Sequence, residues 1–402
     1  MDKASSGKKP IMMLFVAMEL LPLLSYRVIG LRADLFSVPT GDMIIPLGLS
    51  FFSLQAVTYT VGVYKGEVDV EKNPLIVLLF ISFFPCISSG PIARAGKLLP
   101  QFRENKTFDY DAAADGFRLL GWGLLKKLVI ADNLAMYIGA VRGAEGEKTG
   151  LALLLAALLY SFQLYLDFSG YSDIVIGCAK ALGFELEKNF DHPYMSRSIG
   201  EFWRRWHISL SSWLKDYVYI PLGGSRVGAL RRNLNTLVTF AVSGLWHGAG
   251  VTWIVWGLFH GVCLCVENIT GLGKRADKSI LRVLWTYILV TFGWIIFASN
   301  NLHEVFDTVI AFGKIPAEIA SIAMGTVSAG GVLMIPHGFN LILALIFLIT
   351  FLVISVMTYK KSGVEMIKAR GPVIRWSCYL GLALLILFFS AENSGEFIYN
   401  RF

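Results

Sequence analysis

The segment from Asn233 to Val266 constrains the fold of this chain more than any other, because it contains no Asp, Glu, Lys or Arg. One helix needs about 20 apolar residues to cross a bilayer, so the segment is too long for a single ordinary crossing. Its middle contains Gly244, Gly248 and Gly250, and glycine weakens or bends a helix. We therefore expect two helical pieces joined at a glycine-rich break in the membrane interior.

His247 lies inside this predicted break, between Trp246 and Gly248. A titratable side chain on irregular backbone at membrane mid-depth is costly, which favours a catalytic histidine over a structural contact or a proton relay. A buried neutral imidazole suits general-base chemistry. In acyl transfer it would deprotonate an attacking hydroxyl or thiol. No Ser or Cys stands beside it in the sequence, which favours direct transfer over a covalent acyl-enzyme.

The composition identifies the chain as an all-α membrane protein that crosses the cell membrane several times. Of its residues, 55% are hydrophobic and 16% are charged, whereas soluble proteins contain about 25% charged residues. The apolar segments predict roughly nine to eleven crossings, with in-plane amphipathic or re-entrant helices between them. The candidate spans are 11–30, 44–64, 75–92, 118–138, 150–182, 234–266, 281–299, 341–358 and 373–391.

The positive charge belongs to short loops beside apolar spans and does not indicate a nucleic-acid partner. The formal net charge is +7, and clusters of Lys and Arg mark cytoplasmic loops. This rule places 271–282 and 360–375 in the cytoplasm and 300–340 outside. The six histidines form no HExxH motif, and the five cysteines form no CxxC pair. We expect neither a metal site nor a bound cofactor.

Several charged residues interrupt the apolar segments. Lys126 and Lys127 stand in the middle of one predicted span, and we expect their long side chains to reach an interface. Asp167 and Asp173 flank Gly170 in the next span. Two interpretations stay open for these acids: they cap new helix ends at a break, or they form a polar elbow that orients a catalytic histidine.

Residues 198–219 predict one amphipathic helix that lies in or near the membrane interface. Winding this segment at 100° per residue gathers its large apolar side chains into one stripe, a pattern typical of interfacial helices. His207 lies at the edge of the stripe, where a functional and a structural role are both open. His260, in a similar aromatic setting, is expected to be packed and hydrogen-bonded. The stripe comprises Phe202, Trp203, Trp206, Leu210, Trp213, Leu214 and Tyr217.

Several long motifs resemble the membrane-bound O-acyltransferase (MBOAT) family, most closely its bacterial alginate and polysaccharide O-acetylation branch. The resemblance runs from about Ile44 to Phe402 and implies a single domain over 1–402, with helices around a central tunnel and a catalytic core segment at 184–268. It is carried by GPIARAGKLLPQF, GWGLLKKLVIADNLA, YLDFSGYSD, FWRRWHISLSSWLKDYVYIPLGG, GLWHGAGVTWIVWGLFHG and FIYNRF.

The resemblance also implies which residues act. His247 matches the principal catalytic histidine of the family, and His207 matches its second functional histidine. Asp167, Arg204 and His260 fall within family motifs, but structural polar contacts remain the favoured interpretation for them. Members of this branch usually begin with further hydrophobic helices, so residues 1–43 are expected to be an incomplete N-terminal part.

The expected function is transfer of an acetyl group from a cytoplasmic donor toward an extracytoplasmic cell-envelope polysaccharide. By resemblance, the donor is acetyl-CoA or an acyl-carrier thioester, and a secreted or membrane-anchored acetyltransferase on the outer face is a partner. One alternative is D-alanyl transfer to teichoic acid from a carrier-protein thioester. Another is a transporter or channel with His247 as a proton relay, although the sequence contains no internal repeat of the kind that such proteins show.

Overall fold

The structure is a computed structural model that describes residues 7–36, 46, 48–274, 279–359 and 362–391. These residues form helices and no strands, which confirms the all-α class. Short 3₁₀ segments lie at Leu99–Phe102, Pro193–Met195 and Leu272–Lys274, and π-helical segments at Leu125–Ala131 and Lys215–Tyr219. The α-helices are α1 (Lys8–Phe36), α2 (Leu49–Lys65), α3 (Pro74–Ile81), α4 (Ala95–Leu98), α5 (Tyr110–Leu124), α6 (Asp132–Gly143), α7 (Gly150–Ala181), α8 (Ile199–Arg205), α9 (Ile208–Leu214), α10 (Ala229–His247), α11 (Val251–Thr270), α12 (Ile280–Ala298), α13 (Leu302–Phe312), α14 (Ile315–Ala323), α15 (Ala329–Val332), α16 (Leu341–Met357), α17 (Gly363–Lys368) and α18 (Pro372–Phe389).

The apolar helices confirm a multi-pass membrane protein. In the described part of the chain, five helices are long and apolar enough to cross a membrane: α1, α7, α11, α12 and α18. The shorter α16 is also strongly apolar. Large side chains on α18 such as Leu387 and Phe388 are more than 70% exposed, as expected of a helix that faces lipid. The number of crossings and their orientation stay predictions. The start of span 44–64, the basic residues at 275–278 and 360–361, and FIYNRF lie outside the described residues.

The predicted span at 75–92 is wrong as a continuous helix. Helix α3 ends at Ile81 after eight residues, which is about 12 Å of helix and too short to cross a bilayer. Pro85 lacks the backbone N–H that a helix requires, and turns continue to Gly90. Phe80 and Phe83 pack into a buried cluster with Val175 of α7. The segment therefore folds back onto the protein.

The prediction that Lys126 and Lys127 reach an interface is also wrong. Both residues are only 4% exposed, and they lie in the π-helical segment that joins α5 to α6. Lys126 Nζ lies 2.8 Å from Asp173, and Lys127 Nζ lies 2.7 Å from both Asp132 and Asp167. We call these five residues the lysine–aspartate cluster. Opposite charges on the neighbouring helix remove the need to reach water.

Helix α7 runs unbroken from Gly150 to Ala181, so both interpretations of Asp167 and Asp173 are wrong. Neither acid caps a new helix end or forms an elbow, because α7 has no break near them. Each of the two carboxylates instead forms an ion pair with a lysine. Gly170 serves close helix packing instead. A Cβ at Gly170 would lie 2.9 Å from the carbonyl oxygen of Gly123, and one at Gly123 would lie 2.5 Å from that of Gly170. Such small-residue contacts let membrane helices approach closely.

The charge-free segment forms the expected pair of helices. Helix α10 ends at His247 and α11 begins at Val251, so the break comprises Gly248, Ala249 and Gly250. Gly244 does not interrupt α10. A Cβ there would lie 2.2 Å from the carbonyl oxygen of Trp253, so this glycine allows α10 and α11 to pack closely. The break therefore follows His247 directly and places it at a helix C-terminus.

Candidate active site

His247 is enclosed by aromatic rings at the break between α10 and α11. The residue is 3% exposed. Its ring centroid lies 4.7 Å from that of Trp246, 5.1 Å from that of Trp256 and 5.4 Å from that of Phe297. The Trp253 indole lies beside the break, where a Cβ at Gly248 would come within 2.2 Å of Trp253 Nε1. A glycine at this position thus leaves room for the Trp253 indole in the aromatic enclosure.

Helix α1 binds both sides of this break. Arg27 Nη2 donates a hydrogen bond to the Trp246 carbonyl at 2.6 Å, and Asp34 Oδ2 accepts one from the Val251 N–H at 2.8 Å. A cation at the C-terminus of one helix and an anion at the N-terminus of the next both complement the helix dipoles. Gly30, between them, allows α1 to approach Ala249, since a Cβ there would lie 2.5 Å from Ala249 Cβ.

Arg27 and Asp34 were not singled out from the sequence, although a signal exists. They lie seven residues apart in an apolar helix, which places them on one face, and Gly30 lies near that face. Arg27 is only 3% exposed, so its charge is held inside the protein. A buried charge of this kind indicates a partner in the fold.

The prediction of one continuous helix over 198–219 is wrong. Helix α8 ends at Arg205 and α9 begins at Ile208. Between them, His207 has a φ of 43°, in the left-handed region that a non-glycine residue seldom adopts. The loop before α8 forms backbone hydrogen bonds with the residues on both sides of this break. The Ile208 N–H donates to the Asn189 carbonyl and the Asp191 N–H donates to the Arg205 carbonyl, both at 2.9 Å. These bonds stabilise the break.

The predicted apolar stripe is nevertheless buried, inside the protein core. Trp206 is 2% exposed, whereas Arg204 and Lys215 are exposed. The aromatic side chains of α8 and α9 thus form the inner wall that faces α10 and α11. The other buried members of the stripe are Phe202, Trp203, Leu210, Trp213 and Leu214.

His207 lies in this wall and is 1% exposed. Its ring centroid lies 4.7 Å from that of Phe168 in α7 and 6.0 Å from that of Trp246. Its Nδ1 lies 3.2 Å from Asn189 Oδ1. Because the His247 ring also packs on Trp246, the structure brings both predicted site histidines to the same indole. We call them the histidine pair. Their catalytic roles stay predictions.

The other candidate residues lie elsewhere. His260 is fully buried among Trp203, Trp256 and Phe259, so the prediction of packing is confirmed. The prediction of a hydrogen bond is wrong, because neither ring nitrogen has a hydrogen-bond partner within the described residues. Asp167 belongs to the lysine–aspartate cluster. In the described part of the chain, no three His, Cys, Asp or Glu residues are grouped to hold a metal ion.

A cavity of about 440 Å³ lies between α8–α9 and α10–α11. The exposed cations Arg204 and Lys215 stand at its rim, and none of its lining residues is acidic. Trp203, Phe240 and Leu264 supply apolar walls. The cavity can therefore accept an elongated, partly apolar ligand with an anionic end. Its hydroxyl groups come from Ser211, Ser212, Tyr219, Thr236, Thr239 and Ser243.

Comparison with known proteins links these features to a family. Residues 67–302 match the family described as MBOAT, membrane-bound O-acyltransferase family, and this range contains both members of the histidine pair. A relative from Pseudomonas fluorescens, named a probable alginate O-acetylase AlgI, is 42% identical over 277 residues, covering 68% of this chain and 55% of that protein. The relative of the same name from Pseudomonas putida is 36% identical over 372 residues, covering 90% of this chain and 76% of the relative.

A third relative acts on a different polymer by its name. The peptidoglycan O-acetyltransferase of Helicobacter pylori is 37% identical over 295 residues, covering 66% of this chain and 56% of that protein. The chain thus spans just over half the length of this relative and of the Pseudomonas fluorescens protein. Both names describe an O-acetylation, one of alginate and the other of peptidoglycan.

Proposed function

The chain belongs to the membrane-bound O-acyltransferase family, and from this premise we propose that it transfers an acetyl group from a cytoplasmic thioester toward an extracytoplasmic cell-envelope polysaccharide. One observation carries the proposal: two buried histidines from separate breaks in the helical core pack on the same indole. Packed side chains in a membrane core are ordinarily apolar, so two imidazoles at irregular backbone indicate a functional site.

His247 acts as the general base in the proposed reaction. It accepts the proton of an acceptor hydroxyl while the hydroxyl oxygen attacks the acetyl carbonyl. The new C–O bond forms, the C–S bond of the thioester breaks, and the thiolate leaves with a proton returned by the imidazolium. The rings that enclose His247 are aromatic and offer no nucleophile, which supports direct transfer. His207, which packs on the same Trp246 indole, assists the proton transfer.

The cavity beside α10 suits the donor. Acetyl-CoA and an acyl-carrier thioester both present a phosphate-bearing arm that ends in the thioester. Arg204 and Lys215 at the rim complement the phosphate. The lining follows α10 from Thr236 to Ser243, and Ser243 lies one helical turn before His247. The basic segment 271–282, predicted to be cytoplasmic, follows α11 in the sequence, which supports a donor that reaches this cavity from the cytoplasm.

The acceptor is proposed to arrive from the opposite side of the membrane. A secreted or membrane-anchored acetyltransferase would receive the group there and pass it to the polysaccharide. The names of the Pseudomonas and Helicobacter relatives support acetyl as the group transferred. They name two different polymers, so the proposal extends to a cell-envelope polysaccharide and to no single glycan.

The test replaces His247 with Gln in the native cell and follows O-acetyl groups on the envelope polysaccharide. We expect acetylation to be lost while the membrane level of the variant protein is retained. His260→Gln is the matched control, since it buries the same amide in the same aromatic region, and we expect it to keep acetylation. Unchanged acetylation in folded His247→Gln would refute the catalytic assignment.

Cells that carry His247→Gln also distinguish the proposed acetyl transfer from the two alternative functions. Loss of D-alanyl esters with acetyl esters intact would show that the transferred group is D-alanine. Loss of surface polysaccharide itself would favour a transporter with His247 as a proton relay. Normal polysaccharide export without acetyl groups is the result that the proposal predicts.

A further inference from the structure

We propose that Asn189 is a positioning residue that holds the neutral His207 ring in one tautomer, with Nδ1 protonated and Nε2 as the proton-accepting atom. The catalytic consequence rests on the proposed acyl transfer, but the tautomer itself does not. Asn189 lies in the loop between α7 and α8, is 1% exposed and has four side-chain hydrogen bonds in the described structure.

The orientation of the Asn189 amide follows from a donor that cannot change its role. The backbone N–H of Ser209 lies 3.2 Å from Asn189 Oδ1, and a backbone N–H only donates. The atom facing it must therefore be the amide oxygen, because the NH₂ group would place two donors against each other. On the other side, Asn189 Nδ2 donates to Ser172 Oγ of α7 at 3.2 Å. The Ser209 hydroxyl also donates to Oδ1, at 2.9 Å.

The tautomer of His207 follows from the amide. The imidazole Nδ1 lies 3.2 Å from the same Oδ1. The Ser209 hydroxyl lies 3.5 Å from Nδ1, but its single hydrogen is donated to Oδ1 at 2.9 Å. Because an amide oxygen only accepts, Nδ1 carries the hydrogen. In a neutral imidazole the other nitrogen then has the free electron pair. Nε2 is thus the atom of His207 that can accept a proton or a hydrogen bond from an acceptor hydroxyl.

The surroundings of His207 favour the neutral ring. The rings of Phe51 in α2, Phe168 in α7 and Phe190 in the loop pack against it, together with Trp246 of α10. No carboxylate is among these contacts in the described residues. The other titratable groups near His207 are His247 and Arg27, which approach Trp246 from α10 and α1, and neither stabilises an added positive charge.

Asn189 also fixes the direction of the ring. Its backbone carbonyl accepts from the Ile208 N–H at 2.9 Å, while its side chain binds both Ser209 and Ser172. His207 lies between these bonds in its left-handed conformation, which persists only where neighbouring contacts enforce it. A base held by a partner on its far nitrogen is the usual arrangement for a histidine that transfers protons.

The first test observes the tautomer directly. The full chain, labelled with ¹⁵N in its histidine rings and reconstituted in lipid nanodiscs, is examined by solid-state NMR, and the His207→Gln spectrum identifies the His207 signals. We expect a protonated Nδ1 and an unprotonated Nε2. In Asn189→Leu we expect this single tautomer to be lost. A protonated Nε2 with a bare Nδ1 in the unaltered protein would overturn the proposal, whatever the reaction proves to be.

The second test measures the effect on transfer. We expect Asn189→Leu to lower kcat for acetyl transfer roughly 10- to 100-fold with KM for the donor unchanged, because the base loses its orientation and the cavity stays intact. Asn189→Asp keeps an accepting oxygen and should recover part of kcat. Its added charge stabilises the imidazolium, so the acidic limb of the pH–rate profile should move to higher pH.

Asn235→Leu is the matched control. Asn235 is likewise buried, at 2% exposure, and its side chain donates to the Gly224 carbonyl at 3.3 Å, away from both histidines. We expect its kcat per folded protein to equal that of the unaltered chain. Equal losses in the two leucine variants, or full kcat in Asn189→Leu, would contradict a positioning role. If no variant or parent transfers acetyl groups, the proposed function fails and the NMR result still decides the tautomer.

Discussion

The lysine–aspartate cluster and the histidine pair are both buried polar groups in a membrane protein, yet they are built in opposite ways. The cluster consists of charges paired at 2.7–2.8 Å between helices that run on without a break. The histidine pair stands where helices stop, at the end of α10 and between α8 and α9. Buried charges require partners, whereas neutral imidazoles do not.

The lysine–aspartate cluster and the histidine pair are therefore expected to contribute to different properties, folding and acyl transfer. In the lysine–aspartate cluster every charge lies within 2.8 Å of an opposite charge, so a change of protonation there would disrupt the contact between α5, α6 and α7. The histidine pair is enclosed mainly by aromatic rings, and a neutral imidazole can accept a proton during a reaction. We therefore expect substitutions in the cluster to affect folding first, and substitutions in the pair to affect transfer first.

The largest effect on folding is expected for Lys127→Met. Removal of this lysine leaves Asp132 and Asp167 as two buried carboxylates without their cation, and breaking a buried ion pair costs about 3–5 kcal/mol. The folded fraction, measured by size-exclusion chromatography in detergent, should fall sharply. Lys127→Arg keeps the charge and serves as the control. A well-folded Lys127→Met protein would remove the distinction between the two clusters.

Arg27→Met is expected to affect transfer more than folding. The guanidinium donates to the Trp246 carbonyl, which directly precedes His247, and a hydrogen bond to a charged group is worth about 1.5–3 kcal/mol. If that energy positions His247, the transfer rate falls roughly 10- to 100-fold. Arg32→Met on the exposed side of the same helix is the control. Equal transfer by the two variants would show that α1 does not position the break.

Gly123→Ala tests the close approach on which the lysine–aspartate cluster depends. The added Cβ would lie 2.5 Å from the Gly170 carbonyl oxygen, so α5 and α7 must separate, at a cost of about 1–3 kcal/mol. We expect a lower melting temperature with transfer per folded molecule retained. Gly139→Ala is the control, because a Cβ there meets nothing within 4 Å. If the two variants melt alike, the helices are not held at this contact.

The sequence was sufficient to predict a break near His247, because glycines in a charge-free segment are a local signal, but it placed Gly244 and His247 inside the break when both belong to α10. It was not sufficient for the break at His207. The apolar stripe continues through Trp206. The break depends on the hydrogen bonds that the Asn189 carbonyl accepts and the Asp191 N–H donates, and the position of this loop relative to α8 is set by the fold. The ion pairs of the lysine–aspartate cluster could not be predicted either. They depend on how α5 and α7 align, although the sequence shows the charged residues Lys126, Lys127, Asp167 and Asp173.

The contacts of α1 on both sides of the break between α10 and α11 could not be predicted from the sequence either. Arg27 and Asp34 reach Trp246 and Val251 across more than 200 positions of sequence, and no local pattern gives that contact. For the same reason the tautomer of His207 could not be inferred from the sequence, since it depends on Ser209 and Asn189 meeting at one oxygen. Short-range patterns predicted the helix pair α10 and α11, whereas long-range hydrogen bonds determined the break at 206–207 and the contacts of the site.

The central claim is that His247 performs chemistry and does not merely fill space. Membrane vesicles that contain equal amounts of folded unaltered protein, His247→Gln or His260→Gln, together with the native acceptor machinery, are supplied with labelled acetyl-CoA on the cytoplasmic side. The label that reaches polysaccharide is then measured. We predict that His247→Gln transfers no label above background while His260→Gln transfers it normally. Transfer by His247→Gln at the rate of the unaltered protein would contradict the claim.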